Sequence, residues 1–369
     1  VAVKKIIRNI IALLLLVFVI NVVVHKVYAP FGWGGESFFV KSQYYLRHQE
    51  KFNAIYVGGS LEYRHIDPHV MDSVAKSNGI DLRSFNLGND GYNLPLQVWV
   101  TEHMIDKAGD DLDYIFLSLS SDPLFFKAIL HTKEWVYWQN LQSTCLSLRV
   151  MWQMPIPMKD KQKYSYFYLM STMENLLKFG FMDDLVDFHT KDRSADSIYL
   201  GRNKNGYFPY DDEEAFLAVR ENLPEEIVKK IKNNNLSRLD YQQNVAKREG
   251  LTKTWTESIA NYVPGSDPWK CGDKNVYLQT YLSLYKKCKE KGIQLIFVMP
   301  PKGRSEYDLL LSIYERLPAD SRISLADPAR YPDFFTLENG YNYHHMNARG
   351  AAIYSRVFGE KFVELRKAE

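Results

Sequence analysis

Apolar and polar positions along this chain follow two rhythms, one at each end, separated by a long stretch that follows neither. Residues 53–57 are a short apolar run stopped by Gly58-Gly59-Ser60, a pattern that predicts a buried strand ending in a tight turn. Asp67-Pro68 predicts a helix start, with the helix continuing to about residue 76. A second strand is predicted over 82–87, ending in Gly88-Asn89-Asp90-Gly91, and Pro95 opens a helix reaching residue 105. A third strand over 113–120 ends at Ser121-Asp122-Pro123. The pattern then disappears until about residue 274, giving way to aromatic helical stretches over 135–181 and a polar, turn-rich part around 201–212. It resumes with a helix over 275–291, a strand over 293–299 ending in Pro300-Pro301, a helix near 307–317, a strand over 322–326 and a last helix over 347–365. Strands alternating with helices predict a parallel sheet covered by helices on both faces.

The start of the chain has a different character. Residues 10–24 are apolar throughout except for Asn21, with Lys4, Lys5 and Arg8 before them and His25 and Lys26 after. Snorkelling by Arg8 lets Ile6 and Ile7 extend the run to the length of a membrane span. Val27-Tyr28-Ala29 loosely imitates a signal-peptidase site, but Pro30 opposes cleavage, so the expectation is an uncleaved single-pass anchor. The basic excess before the run orients it with the N-terminus cytoplasmic and the rest of the chain outside the cell membrane. The expected organisation is an anchor over 1–30, a linker over 31–50, a first α/β part over 51–123, an insertion over 124–274 and a second α/β part over 275–369.

Composition excludes several classes. Among 369 residues, 46 Lys and Arg face 44 Asp and Glu, a balance of +2 that is too near neutral for a protein that coats nucleic acid. With 46% hydrophobic and 24% charged residues the chain is neither disordered nor fibrous. Cys145, Cys271 and Cys288 lack zinc-site spacing, and Cys271 and Cys288 flank a predicted helix that would hold them apart, so buried thiols are expected. No metal cluster, phosphate loop or dinucleotide fingerprint stands out, and no cofactor is expected.

In a parallel sheet of this kind ligands sit beyond the carboxyl ends of the strands. Gly58-Gly59-Ser60, Gly88–Gly91, Ser121-Asp122 and Pro300-Pro301 all fall on those ends, and the loop before the last helix carries Asn342, His344, His345 and Asn347. A serine after a glycine pair at a strand end has an exposed hydroxyl and small neighbours, which suits a nucleophile. His345 is placed to take its proton and return it to a leaving group, with Asn347 capping the last helix and Gly350 permitting close packing of its first turn. The bland alternatives are a turn serine and a helix-start histidine. Asn89 and Asp90 read as turn formers, Lys302 and Arg304 as solvated charges, and the aromatic cluster at 135–138 as subdomain core.

Gly58-Gly59-Ser60, Gly88, Ser121-Asp122 and the run His345-Met346-Asn347-Ala348-Arg349-Gly350-Ala351 occur in the order found in the SGNH/GDSL hydrolase superfamily, which this chain resembles over residues 52–123 and 276–366. The anchor, the residues from Gly58 to Pro68 and the long insertion are similar to the extracytoplasmic SGNH proteins that accompany membrane-bound O-acyltransferases, such as those of D-alanyl-lipoteichoic acid transfer and of alginate or cellulose acetylation. The resemblance implies a flavodoxin-like α/β fold. It also implies that Ser60 is the nucleophile, that His345 is the base, and that the amides of Ser60 and Gly88 receive the oxyanion. Two positions depart from the family pattern. Ser121 stands where an asparagine usually donates to the oxyanion, and Asn342 stands where an aspartate usually orients the histidine. Asp90, Asp122 and Asp333 are alternative acids, and His344 is a second imidazole.

The function expected from this resemblance is an anchored serine acyltransferase or esterase acting on a cell-envelope or secreted polysaccharide. Its expected partners are an acyl-ester or polysaccharide substrate and a membrane-bound O-acyltransferase, with no nucleic acid. The alternative is a catalytically silent SGNH-like domain that binds glycan or scaffolds that membrane enzyme.

Overall fold

The structure, a computed structural model, describes residues 2–33, 35–107, 109–120, 132–177, 181–212, 246, 249–250, 252–253, 256–257, 260–261, 263–301, 307–336, 338–341 and 345–368. The first third of the chain forms α1 (Ala2–Tyr28), α2 (Glu36–Arg47), β1 (Ala54–Val57), α3 (Ser60–His65), α4 (Pro68–Ser77), β2 (Ser84–Asn86), α5 (Leu94–Lys107) and β3 (Tyr114–Ser118). There follow α6 (Lys133–Trp138), α7 (Leu141–Gln153), α8 (Met158–Leu177) and α9 (Met182–Thr190). The C-terminal part holds α10 (Val276–Glu290), β4 (Gln294–Met299), α11 (Tyr307–Arg316), β5 (Arg322–Ser324) and α12 (Ala348–Lys367). These elements gather into two compact units, one of Val1–Phe39 with Leu124–Arg193, the other of Val40–Pro123 with Ser194–Glu369.

The second unit contains a five-stranded sheet in the order β2-β1-β3-β4-β5, with every pairing parallel. Because side chains alternate across a strand, Ala54 and Tyr56 of β1, Phe116 of β3, and Ile296 and Val298 of β4 share one face. Tyr354, Phe358 and Phe362 of α12 and Met71 and Ala75 of α4 close over that face. Phe116 meets both Phe358 and Phe362 edge-on at 5.3 Å. The opposite face receives α5, α10 and α11, where Tyr281 packs edge-on against Phe297 at 5.6 Å. A sheet covered on both sides needs near-continuous apolar strands, and β1 is buried at all four positions. Helix starts fall where capping residues demand them: the Asp67 carboxylate accepts the His69 amide at 3.0 Å, and Asn275 and Asn347 cap α10 and α12. Gly350 is required in the first turn of α12, since a Cβ there would lie 2.2 Å from the Asn339 carbonyl oxygen.

Residues 31–50, expected as a linker, instead carry α2, with Trp33, Phe38, Lys41 and Tyr45 buried. The region expected as one insertion is divided. Its part up to Arg193 clusters with α1, and its part from Ser194 joins the sheet unit, where Asn205 accepts the Asn86 amide along the outer edge of β2. All three cysteines are free, but only Cys288 is buried; Cys145 lies on the outer face of α7, so the expectation of buried thiols fails there.

Candidate functional site

The order β2-β1-β3 means that the chain leaves β1 for one side of the sheet and returns to the other, which opens a crevice beyond the carboxyl ends of β1 and β3. Gly58-Gly59-Ser60 follows β1 directly into that crevice. Gly59 is extended and precedes α3, so Ser60 stands in the first helical turn, partly exposed. Across 285 residues of chain, His345 Nε2 lies 2.9 Å from Ser60 Oγ. Among the described residues nothing accepts from the Ser60 amide, which remains free for a ligand.

The loop that carries His345 is held at three points. The Tyr341 amide donates to the His345 carbonyl at 2.9 Å, and the Asn347 amide donates to the Asn339 carbonyl at 3.1 Å. Between them the Met346 amide donates to His65 Nε2 at 2.9 Å. Accepting at Nε2 fixes His65 as the neutral tautomer with its proton on Nδ1. His65 is buried in the last turn of α3 and lies edge-on to His345 at 5.8 Å. One six-residue helix therefore supplies both Ser60 and the group that fixes the chain next to His345.

The Gly88 loop is built differently from the expectation. The Gly88 amide donates to Asn86 Oδ1 at 2.9 Å, so it is occupied and does not serve as an oxyanion donor in this arrangement. Asn86 is fully buried, and its Nδ2 also bonds the Glu62 and Ile66 carbonyls, which ties β2 to α3. Gly88 fits only because it lacks a Cβ, which would fall 2.6 Å from the Tyr63 backbone nitrogen. The Gly88 carbonyl accepts from Lys41 Nζ. Lys41 is fully buried, with its ammonium 3.8 Å from the Tyr63 ring centre; burial, aided by the nearby Arg64 charge, holds it well below the usual lysine range. The next residue, Asn89, donates its amide to the Gly58 carbonyl at 3.1 Å and is 5% exposed. Its side-chain amide makes no bond among the described residues, and its backbone bond to Gly58 sets it on the loop facing the Gly58-Gly59-Ser60 turn.

Neither Asp90 nor Asp333 bonds His345 among the described residues. Asp90 pairs with Arg64 at 2.8 Å, and Asp333 is exposed, its carbonyl receiving Asn339. Ser121, Asp122, Asn342 and His344, with Lys302 and Arg304, lie outside the described residues. Arg64 is buried between the rings of Tyr63 and Tyr210, at 4.2 and 4.3 Å. Tyr210 also packs on His345 at 4.6 Å and stacks on Tyr341 at 5.0 Å, while the Asp211 carboxylate accepts the Ala348 amide at 2.6 Å. Residues 208–211, read from sequence as a polar turn, thus form a wall of the site.

Lys41, Arg64, His65, Asn86 and Tyr210 were missed in the sequence. For three of them no local pattern marks the role, because their partners come from distant segments. For Arg64 and His65 a signal existed: Glu62, Arg64 and His65 crowd one short helix directly behind Gly58-Gly59-Ser60, and all three are buried. Among the described residues no three His, Cys, Asp or Glu side chains gather to hold a metal ion. No family model and no curated protein matches the chain.

Proposed function

We propose that this chain is a membrane-anchored, extracytoplasmic serine acyltransferase or esterase of the SGNH type, acting on a cell-envelope or secreted polysaccharide. The observation that carries the reading is the 2.9 Å contact between Ser60 Oγ and His345 Nε2 at the crevice of a 2-1-3-4-5 parallel sheet. Ser60 Oγ attacks the ester carbonyl while its proton passes to His345 Nε2. The tetrahedral oxyanion is received by the Ser60 amide and the Asn89 side chain. Collapse breaks the ester C–O bond, and His345 returns the proton to the departing alkoxide. A sugar hydroxyl or water, deprotonated by His345, then attacks the acyl-serine and frees Ser60. Helix α1 is long and apolar enough to cross a membrane. In this reading it tethers the unit outside the cell, N-terminus inside, beside a membrane-bound O-acyltransferase that supplies the acyl group.

A second reading, a catalytically silent SGNH-like domain that binds glycan or scaffolds the membrane enzyme, is favoured by the occupied Gly88 amide and by the engagement of Asp90 with Arg64. A fluorophosphonate probe separates the two. Covalent labelling of Ser60 that is lost in Ser60→Ala and in His345→Ala supports the enzyme. Absence of labelling in the folded parent chain supports the silent domain.

A further inference from the structure

Among the described residues, the unit that contains α1 carries almost all the large apolar side chains left exposed. Outside α1 every exposed large apolar side chain among the described residues belongs to this unit, with Val263 the single exception in the sheet unit. Five of them, Tyr166, Leu169, Met170, Met173 and Leu176, recur at helical spacing and form one stripe along α8, about 15 Å long. The opposite face of α8 is buried, through Phe167, Tyr168, Ser171, Thr172 and Asn175. A helix whose inner face is already packed and whose outer face is apolar has a second surface to cover.

Helix α1 indicates what covers it. From residue 3 to residue 20 its side chains are exposed except for Phe18, a length of about 27 Å that matches a bilayer hydrocarbon core. Burial begins at Asn21, whose side-chain amide donates to the Leu177 carbonyl at 2.5 Å. The exposed apolar stretch ends there after the length of a hydrocarbon core, so the last residue of α8 stands at the membrane surface. The His189 ring bonds the Tyr28 carbonyl at 2.7 Å and ties α9, which exposes Val186, to the end of α1. At its other end α8 begins with exposed Lys159 and Lys163 on the line that continues through Tyr166 and Met170. Lysines beside an apolar stripe suit anionic headgroups over acyl chains.

We infer that the outer face of α8 lies in the outer-leaflet interface of the membrane that α1 crosses, with Tyr166, Leu169, Met170, Met173 and Leu176 among the acyl chains and Lys159 and Lys163 at the phosphates. This rests on α1 being a membrane span. It gives the α1 unit two membrane contacts, one across the bilayer and one along its surface.

The test uses the full chain with Cys145→Ser, Cys271→Ser and Cys288→Ala, reconstituted in phosphatidylethanolamine–phosphatidylglycerol vesicles. An environment-sensitive fluorophore is placed in turn at Leu169→Cys and Met173→Cys, with Leu14→Cys as the reference for the span and Asp320→Cys as the reference for water. The expected result is blue-shifted emission at 169 and 173 that is quenched by doxyl-labelled lipid and protected from aqueous iodide. Iodide quenching at both positions overturns the inference. Protection from both quenchers also overturns it, since a protein partner or a second copy then covers the stripe. Lipid quenching at 14 but not at 169 or 173 leaves the anchor standing and removes only the interfacial face; its absence at 14 removes both.

Discussion

Replacing His65 with Phe keeps a ring of similar size in a fully enclosed position and removes the acceptor for the Met346 amide. Met346 is 2% exposed, so water cannot replace the lost bond, and a buried amide left without a partner costs about 1–3 kcal/mol. The larger consequence is geometric. His345 is fixed by the Tyr341 amide on its own carbonyl and by His65 on the next amide, and losing the second lets the imidazole drift from Ser60 Oγ. A displacement of about 1 Å at a reacting group costs up to about 100-fold in rate, so Ser60 labelling by the phosphonate probe should slow by about 10- to 100-fold in His65→Phe. Gln offers an acceptor oxygen near the place of Nε2, so His65→Gln should recover most of the rate. Urea denaturation gives the stability loss, and labelling is measured well below the unfolding transition, where every molecule is folded. Unchanged stability and labelling in His65→Phe, or a His65→Gln variant as impaired as His65→Phe, would refute the assignment of His65 as the residue that positions the histidine loop.

Three further outcomes are expected. Asn89→Ala should reduce ester turnover by about 100- to 1,000-fold with little change in stability, as loss of an oxyanion donor does, and turnover equal to the parent would remove Asn89 from the site. Asn342→Asp should raise turnover, with a ceiling of about 10⁴-fold taken from serine proteases that lose the corresponding carboxylate; Asp90→Asn and Asp333→Asn should leave it within a few-fold, and a severe loss in either would identify the true acid. Burial pushes the Asp72 carboxyl up from 3.8 to about 7 despite two hydrogen bonds from Ser84. The unfolded chain therefore releases this proton first, and stability falls as pH rises through that window, by at most roughly 4 kcal/mol. Thermal melts of Asp72→Asn should vary less than the parent between acid and neutral pH, and parallel pH profiles would contradict the shift.

Periodicity determined the five strands, their parallel character and the main helices around them, because a strand buried on both faces must be apolar and a helix laid on it must carry a stripe. Capping chemistry determined helix starts at Asp67, Asn275 and Asn347 for a local reason, since a side chain there reaches an amide two or three residues on. Ser60 and His345 were legible as a strand-end serine and a loop histidine that could pair, but the 2.9 Å geometry of Nε2 on Oγ was not, because sequence does not give the placement of one loop against another. What only the tertiary structure decided is which polar groups are already taken. The Gly88 amide read as a free donor until Asn86, two residues earlier, turned its side chain back onto it. Asp90 read as a spare acid until Arg64 reached it from α3. Lys41, placed in a linker by composition, proved to be a buried donor to the Gly88 carbonyl. Local sequence reports what a residue can bond. Burial decides what it does bond, because once water is excluded every polar group must find its partner in whichever segment the fold has brought alongside.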